Sequence, residues 1–379
     1  MRRITYIYDR SDWPAFRWRD GDIATQLGAV RHRQGRLLGR MEALGFQLRT
    51  EATLLTLTQD ALKTSEIEGE MLDPEGVRSS LARRLGLEAA GLRPVDHMAD
   101  AIAGVVLDAT QNHAEPLTVD RLFAWHAALF PSGGRGRFPL TVGAWRTDAF
   151  GPMQVVSGQP GRKRIHFEAP PASRVPGEMA RFLAWFEDAA TGIDPVLKAA
   201  VAHIWFVTIH PFDDGNGRIA RAIADLVLAR SEGTGQRFYS MSARLRVERT
   251  EYYATLEATQ KGDLDITPRL AWFLGVLDHA LSDAEAVLSG TLRKGRVWDA
   301  LSPTGVNTRQ RLMLNRILDG FTGKLTSSKW AKISKCSPDT ALRDIEDLVR
   351  RGVLVHEGAG GRSSSYALAP DTENAGRSS

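Results

Sequence analysis

The stretch His210-Pro211-Phe212-Asp213-Asp214-Gly215-Asn216-Gly217-Arg218-Ile219-Ala220-Arg221 gathers the groups that phosphate chemistry needs. His210 is the one side chain there that accepts a proton near neutral pH. Asp214 is a hard oxygen ligand suited to Mg²⁺ shared with phosphates. Gly215 and Gly217 let the backbone approach a ligand without a Cβ in the way. They stand where a helix begins, so free N–H groups and the helix dipole form an anion site. Arg218 and Arg221, three residues apart, share one face of the first turn and add fixed positive charge. A base, a magnesium ligand, an anion nest and two arginines together predict phosphoryl or nucleotidyl transfer. Singly, a helix-end histidine is more often a cap and a Gly-Asn-Gly more often a turn; the combination carries the reading.

These residues need rigid elements on both sides. Asp194-Pro195 starts a helix with a capping carboxylate and a first-position proline, and Val196, Leu197, Ala200, Val201, Ile204 and Trp205 continue it to about Ile209. Beyond the loop, Leu226 to Arg230 closes another helix. Upstream, Ile23 to about Leu48 is amphipathic, and Leu54, Leu55, Leu57, Ala61 and Leu62 repeat at helical spacing up to Ile67. Helices are expected over Pro94–Thr110, Val119–Leu129, Pro176–Glu187 and Trp272–Leu281. The Gly- and Pro-rich run from Gly133 to Pro171 breaks the pattern. It holds two β-like pieces, Met153–Val156 and Ile165–Phe167, around Ser157 to Lys163, which reads as a hairpin with a mobile tip. The aromatic stretch from Tyr6 to Trp18 reads as a docked irregular arm.

A linker near Ser302-Pro303-Thr304-Gly305 precedes a small last unit. Arg309–Leu318, Thr326–Ile333 and Pro338–Val349 read as three short helices. Val353–Val355 and Ser365–Leu368 read as two strands around a glycine-rich tip, the pattern of a winged helix-turn-helix. The tail, residues 371–379, is polar and expected to be disordered.

Composition bounds the class. The 379 residues are 43% hydrophobic and 25% charged, which excludes a collagen, a rod or a wholly disordered chain. Cys336 is the single cysteine, so an internal disulfide framework or multi-cysteine zinc site is excluded and a reducing compartment fits. No run reaches the length of a membrane span, and the N-terminus lacks a secretory pattern, so a cytoplasmic location with no membrane partner is expected. Residues 291–379 carry 15 Lys and Arg against 9 Asp and Glu, whereas the rest carries 34 against 36. That basic end suggests a separate domain able to meet nucleic acid.

The loop resembles the Fic signature, His-Pro-Phe-x-[Asp/Glu]-Gly-Asn-Gly-Arg-x-x-Arg, at all nine specified positions. The resemblance continues elsewhere. Thr64 to Gly69 is similar to the family's inhibitory motif, [Ser/Thr]-x-x-x-Glu-[Gly/Asn]. Gly143-Ala144-Trp145-Arg146 and the hairpin from Ile165 to Pro171 resemble its target-binding flap, and Tyr252-Tyr253 its nucleotide-side tyrosines. The resemblance implies a mainly α fold: a Fic helical core with a β-hairpin flap and a small C-terminal winged-helix domain. It divides the chain into an N-terminal helical region, residues 1–110, with an inhibitory helix at about 52–69; a Fic domain, 111–290; and a winged helix, 300–370.

The activity so implied is protein adenylyltransfer, moving AMP from ATP to a Ser, Thr or Tyr hydroxyl of a protein, including itself, with release of pyrophosphate. His210 would be the base and Asp214 the Mg²⁺ ligand. The amides of Gly215, Asn216 and Gly217, with the Asn216 side chain, would cradle phosphates. Arg218 and Arg221 would hold the β- and γ-phosphates, and Ile165, His166 and Phe167 would clamp the target. Phe212 would anchor the loop. Glu68 would pair with Arg221 and inhibit. A homodimer follows from the same resemblance. Three other readings stay open: a nucleotide-sensing regulator binding DNA through its winged helix, removal of AMP with Glu68 positioning water, and a kinase, although kinase relatives carry Lys where this chain has Gly217. Within the winged helix Thr340 and Arg343 could face a DNA groove, while Asp344, Glu346 and Asp347 would repel phosphate and the wing offers only Arg362. His203 reads as a packed side chain, and Tyr239 and Met241 as core.

Overall fold

The computed structural model describes residues 5–369 apart from 45, 88–95, 132, 134–138, 159–161, 302–304, 319–320, 322 and 358–364. The fold is mainly α. Its helices are α1 (Asp20–Glu42), α2 (Phe46–Ile67), α3 (Pro74–Arg84), α4 (His97–Gln111), α5 (Val119–Leu129), α6 (Val175–Glu187), α7 (Pro195–Ile209), α8 (Asn216–Glu232), α9 (Met241–Val247), α10 (Arg249–Gln260), α11 (Thr267–Leu301), α12 (Thr308–Leu318), α13 (Ser327–Ser334) and α14 (Pro338–Arg350). Two antiparallel hairpins complete it, β1 (Gln154–Ser157) with β2 (Arg164–Glu168), and β3 (Leu354–Glu357) with β4 (Ser365–Leu368). Two compact units divide the chain, residues 1–284 and 285–379. The regions expected as 1–110 and 111–290 thus fall, up to Ala284, within one unit.

At the centre of the first unit α7 packs along α8. α7 is largely apolar and, Lys198 apart, buried from Val196 to Ile209, as a core helix must be. Its Asp194 cap accepts from the Val196 N–H at 2.8 Å. Around this pair stand α4, α5 and α6. α2 lies across α9 and touches α8, burying Leu54, Leu57 and Ala61 while Leu55 is left 44% exposed on its outer face. A buried polar network anchors α2 there. Asp60 accepts from the Ser240 hydroxyl and lies beside Asp225, which accepts from Arg237 at 3.0 Å. Burial raises the Asp60 pKa, and the Asp225 charge adds to the rise.

The N-terminal arm docks through its aromatics. Tyr6 and Tyr8 meet Phe167 edge-on at 5.1 and 6.0 Å. The Trp13 indole donates to Glu178 at 2.9 Å. Helices α3, α9 and α10 had no counterpart in the sequence reading, and α11 runs on to Leu301 where a stop near Leu281 was expected.

In the second unit α12, α13 and α14 enclose Trp330, Met313, Leu314, Ile345 and Leu348, with Leu354 and Tyr366 from the hairpin. Ser337 caps α14, accepting from the Thr340 N–H at 3.2 Å. One expectation is corrected. Asp344 is 5% exposed, and its carboxylate is occupied by Arg309 at 2.8 and 3.0 Å and by Asn307 at 2.8 Å, so it presents no free negative charge. Asp347 is likewise engaged by Gln310 at 2.9 Å and Arg351 at 3.1 Å. The expected wing tip with Arg362 and the tail from 371 lie outside the described residues.

Candidate active site

The loop from His210 to Gly215 joins the C-terminus of α7 to the N-terminus of α8. Pro211 cannot continue a helix, and α7 ends on His210 in the left-handed region, φ 53° and ψ 58°. A non-glycine residue held there is unusual and costs energy that the surrounding packing must supply. The packing is visible. The Arg146 Nε donates to the His210 carbonyl at 2.7 Å, and the Arg146 N–H to the Pro211 carbonyl at 2.9 Å. Phe212 is fully buried and stacks on His126 at 4.2 Å, the rings 9° from parallel. The Asp213 carboxylate accepts from the Thr141 N–H at 2.9 Å.

Asn216 differs from its expected place. Its side chain accepts from the Phe212 N–H at 3.0 Å and donates to the Phe212 carbonyl at 2.8 Å. At 2% exposure it braces the loop rather than offering a phosphate donor. Its backbone N–H stays with the free first turn of α8.

The His210 ring has a defined tautomer. Nδ1 lies 3.0 Å from the Val207 carbonyl, an acceptor only, so Nδ1 carries the hydrogen and Nε2 the lone pair. Burial pushes the His210 pKa down to about 4, and the Arg146 charge acts the same way, against the Val207 bond and the nearby Asp214 and Glu68. The imidazole is therefore neutral and able to accept a proton across the physiological range.

The glycines have separate reasons. Gly215 caps α8 at φ 78°, and a Cβ there would lie 2.8 Å from the Phe130 ring. At Gly217 a Cβ would meet the Glu68 carboxylate, 2.3 Å from Oε1. The face of the helix start that the sequence marks as an anion cradle is thus occupied by a carboxylate of this same chain.

Glu68 arrives from the end of α2. The Arg221 Nη2 donates to Glu68 Oε1 at 2.8 Å and to the Thr64 carbonyl at 3.0 Å, and Nε donates to the Thr64 hydroxyl at 2.7 Å. Arg218 donates through Nη1 to Glu70 at 2.7 Å and lies over the Phe130 ring at 5.0 Å. Both arginines are 3% exposed, and each keeps a buried donor without a partner, Nε on Arg218 and Nη1 on Arg221. Such orphaned donors on charged groups are costly unless a ligand completes them. A polyphosphate fits that description.

Asp214 is exposed, and its Oδ1 accepts from the Gly215 N–H at 2.6 Å. Among the described residues no group of three or more His, Cys, Asp or Glu is gathered to hold a metal ion. One carboxylate suits Mg²⁺ that takes its remaining ligands from phosphates and water.

The two tyrosines split. Tyr252 is 1% exposed and packs by its hydroxyl on His203 Nε2 at 3.1 Å, with Trp272 stacked at 6.0 Å. Tyr253 is 37% exposed, with its hydroxyl 3.4 Å from the Ile67 carbonyl at the end of α2. His203 is buried, its Nδ1 3.3 Å from Arg269. In the hairpin, Ile165 is 41% exposed and His166 is tied to Glu257 at 2.6 Å, but Phe167 is 1% exposed beneath the N-terminal arm and offers no surface to a target. Among the described residues β1 and β2 pair only with each other.

Thr64 as an arginine clamp, Glu70, Arg146 and His126 complete the site, and the sequence reading gave none of them these roles. His126 carries no signal beyond a histidine on an apolar helix face. Glu70 has a readable one: it follows Glu68 across a glycine.

Residues 116–228 match the Fic/DOC family. This segment of the chain is similar to Fic domains. Residues 6–87 also match a domain of unknown function, DUF4172. The chain is 44% identical over 82 residues to protein adenylyltransferase fic-1 of Caenorhabditis elegans, covering 21% of this chain and 15% of that one. It is 30% identical over 146 residues to the uridine 5'-monophosphate transferase of Xanthomonas campestris, covering 36% of this chain and 26% of the relative. The matches thus span 15% and 26% of these relatives' own length. A solved Fic family protein from Desulfovibrio desulfuricans superposes with a TM-score of 0.53 at 22% identity, over 92% of this chain and 96% of that one, and so shares the fold. No helix among the described residues is long and apolar enough to cross a membrane.

Proposed function

We propose that this protein is an autoinhibited protein adenylyltransferase. The observation that carries the reading is the pairing of His210, its Nε2 free as an acceptor, with an α8 cradle whose two buried arginines keep unused donors while Glu68 sits over Gly217. A target Ser, Thr or Tyr oxygen attacks the α-phosphorus of ATP as His210 Nε2 takes its proton. The bond to the bridging oxygen breaks and pyrophosphate leaves. The N–H groups opening α8 hold phosphate oxygens, and Arg218 and Arg221 hold the outer phosphates. Asp214 would hold Mg²⁺, which supplies charge neutralisation at the phosphates. Positioning and fixed charge carry the catalysis, with no covalent enzyme intermediate. Tyr253, the exposed member of the tyrosine pair, flanks the nucleotide, and the exposed hairpin residue Ile165 meets the target by strand addition. Self-modification and a homodimer belong to the same proposal.

The test is label transfer to protein from ATP carrying label in the α- or the γ-phosphate, in wild type and Glu68→Gly. Label from the α-position alone, stronger in the variant, supports the reading; label from the γ-position means a kinase. UTP labelled in the α-phosphate, run in parallel, reports whether UMP replaces AMP. A second reading draws on the same Glu68 carboxylate. Lying in the cradle, it could orient a water and remove AMP from a modified protein; release of AMP by wild type and not by Glu68→Gly would favour that. A regulator binding DNA through the three helices and hairpin of the second unit predicts salt-dependent, sequence-selective duplex binding.

The depressed His210 pKa gives a pH prediction. With the folded value near 4, the neutral base persists well below the ordinary imidazole pKa of about 6.5. The rate profile of Glu68→Gly should be flat from about pH 8 to pH 5.5 with its acid limb below, because removing Glu68 takes away a charge that raises this pKa. An acid limb between pH 6 and 7 would contradict it. For stability the sign follows from proton binding. The unfolded chain protonates this histidine first, so its contribution falls as pH drops from about 6.5 towards 4.

A further inference from the structure

The end of α2 delivers two carboxylates to α8, and only one belongs to the recognised inhibitory motif. α2 stops in a glycine-reversed cap. Gly69 sits at φ 87°, its N–H donating to the Glu66 carbonyl at 3.1 Å, and the Glu70 N–H donates to the Ser65 carbonyl at 3.0 Å. These two bonds, nested one inside the other, are those of a Schellman cap, with Gly69 in the left-handed position. The reversal brings residues 68 and 70 to the same side, and each meets one of the two arginines. Glu68 takes Arg221 at 2.8 Å, and Glu70 takes Arg218 at 2.7 Å.

We infer that Glu70 is a second, independent gate carboxylate, occupying Arg218 as Glu68 occupies Arg221, so that the site binds polyphosphate fully only when both are displaced. The inference rests on the proposal that the α8 cradle holds nucleotide phosphates. Three features support it. Arg218 is pinned: its side chain is 2% exposed and its guanidinium lies over Phe130 at 5.0 Å. It cannot swing out to a ligand, so an incoming phosphate must take Nη1 from Glu70. Arg218 Nε is buried without a partner, so Glu70 leaves part of the fork unsatisfied, as a stand-in for a larger anion would. The Glu70 side chain is 38% exposed, so it can be displaced into water at little cost.

The arrangement separates the two carboxylates by what they oppose. Loss of Glu68 clears the Gly217 face and Arg221. Loss of Glu70 clears only Arg218. Glu70 should therefore set affinity for the outer phosphates and leave AMP, which lacks them, unaffected.

The experiment is equilibrium binding of ATP and of AMP, each with Mg²⁺ at fixed salt, to full-length wild type, Glu68→Gly, Glu70→Gln and the double variant. Glutamine keeps the shape and removes the charge; Glu70→Ala serves as a second variant, and thermal midpoints confirm folding. The double variant is expected to bind ATP about tenfold more tightly than Glu68→Gly, with AMP affinity unchanged. Equal ATP affinity in those two proteins overturns the inference while leaving the function standing. Weaker ATP binding in the double variant also overturns it, by making Glu70 a support that positions Arg218. Equal tightening of ATP and AMP overturns it as well, because Glu70 would then act on the whole site. Absence of ATP binding in all four proteins sinks this inference together with the nucleotide-site reading beneath it.

Discussion

Glu68→Gly should raise AMP transfer on the order of a hundredfold over wild type. Two effects of the carboxylate end together. The first is competition for Arg221. A charge-assisted bond to a guanidinium is worth about 1.5–3 kcal/mol, equivalent to roughly 10- to 100-fold in the occupancy of that donor by phosphate. The second is volume. Glu68 Oε1 lies 2.3 Å from where a Gly217 Cβ would be, so carboxylate and phosphate cannot share the start of α8. Glycine at 68 removes both at small structural cost. The residue lies just beyond the last residue of α2, where glycine is tolerated, and its side chain is 31% exposed. Arg221 keeps both bonds to Thr64 and stays in place. Incorporation of α-labelled AMP into protein measures the effect, with unfolding monitored in parallel. Equal incorporation by variant and wild type would remove Glu68 from any inhibitory role.

The site was legible where chemistry is local in sequence. The segment from His210 to Arg221 is one loop and one helix start, so residue type and spacing placed His210, the glycines and both arginines near one another. The same holds for α5, α7 and the caps at Asp194 and Ser337, whose signals lie within a turn. What was not legible depends on contacts between distant segments. Asn216 looked like a phosphate donor because its type allows it, yet its bonds to Phe212 were decided by how tightly the loop closes. Phe167 alternates correctly for an exposed flap strand and is covered only because Tyr6 and Tyr8 dock upon it. Asp344 seemed a free charge until Arg309, on another helix, was found beside it. Helices α9 and α10 escaped because they are short and polar on several faces, and their burial comes from α2 and β2 rather than from their own periodicity.

His210 replacements should separate binding from chemistry more cleanly than any other change. In the Glu68→Gly background, His210→Ala and His210→Asn should each lose AMP transfer by about a thousandfold, the middle of the range a general base contributes. Their ATP affinity should stay within about threefold, because no phosphate contact is assigned to the ring. The two variants should differ in stability. His210 holds a left-handed backbone, φ 53°, which costs alanine roughly 1 kcal/mol and asparagine less. Asparagine can also donate to the Val207 carbonyl that Nδ1 now engages. His210→Asn should therefore unfold at a higher temperature than His210→Ala while being equally inactive. That pairing distinguishes a lost base from a distorted loop. If distortion caused the inactivity, asparagine would restore activity along with stability; if the Nε2 lone pair is what matters, it would restore stability alone. Single-turnover transfer from α-labelled ATP and a melting curve decide it, and more than a tenth of the parent rate in His210→Asn would remove His210 from the role of base.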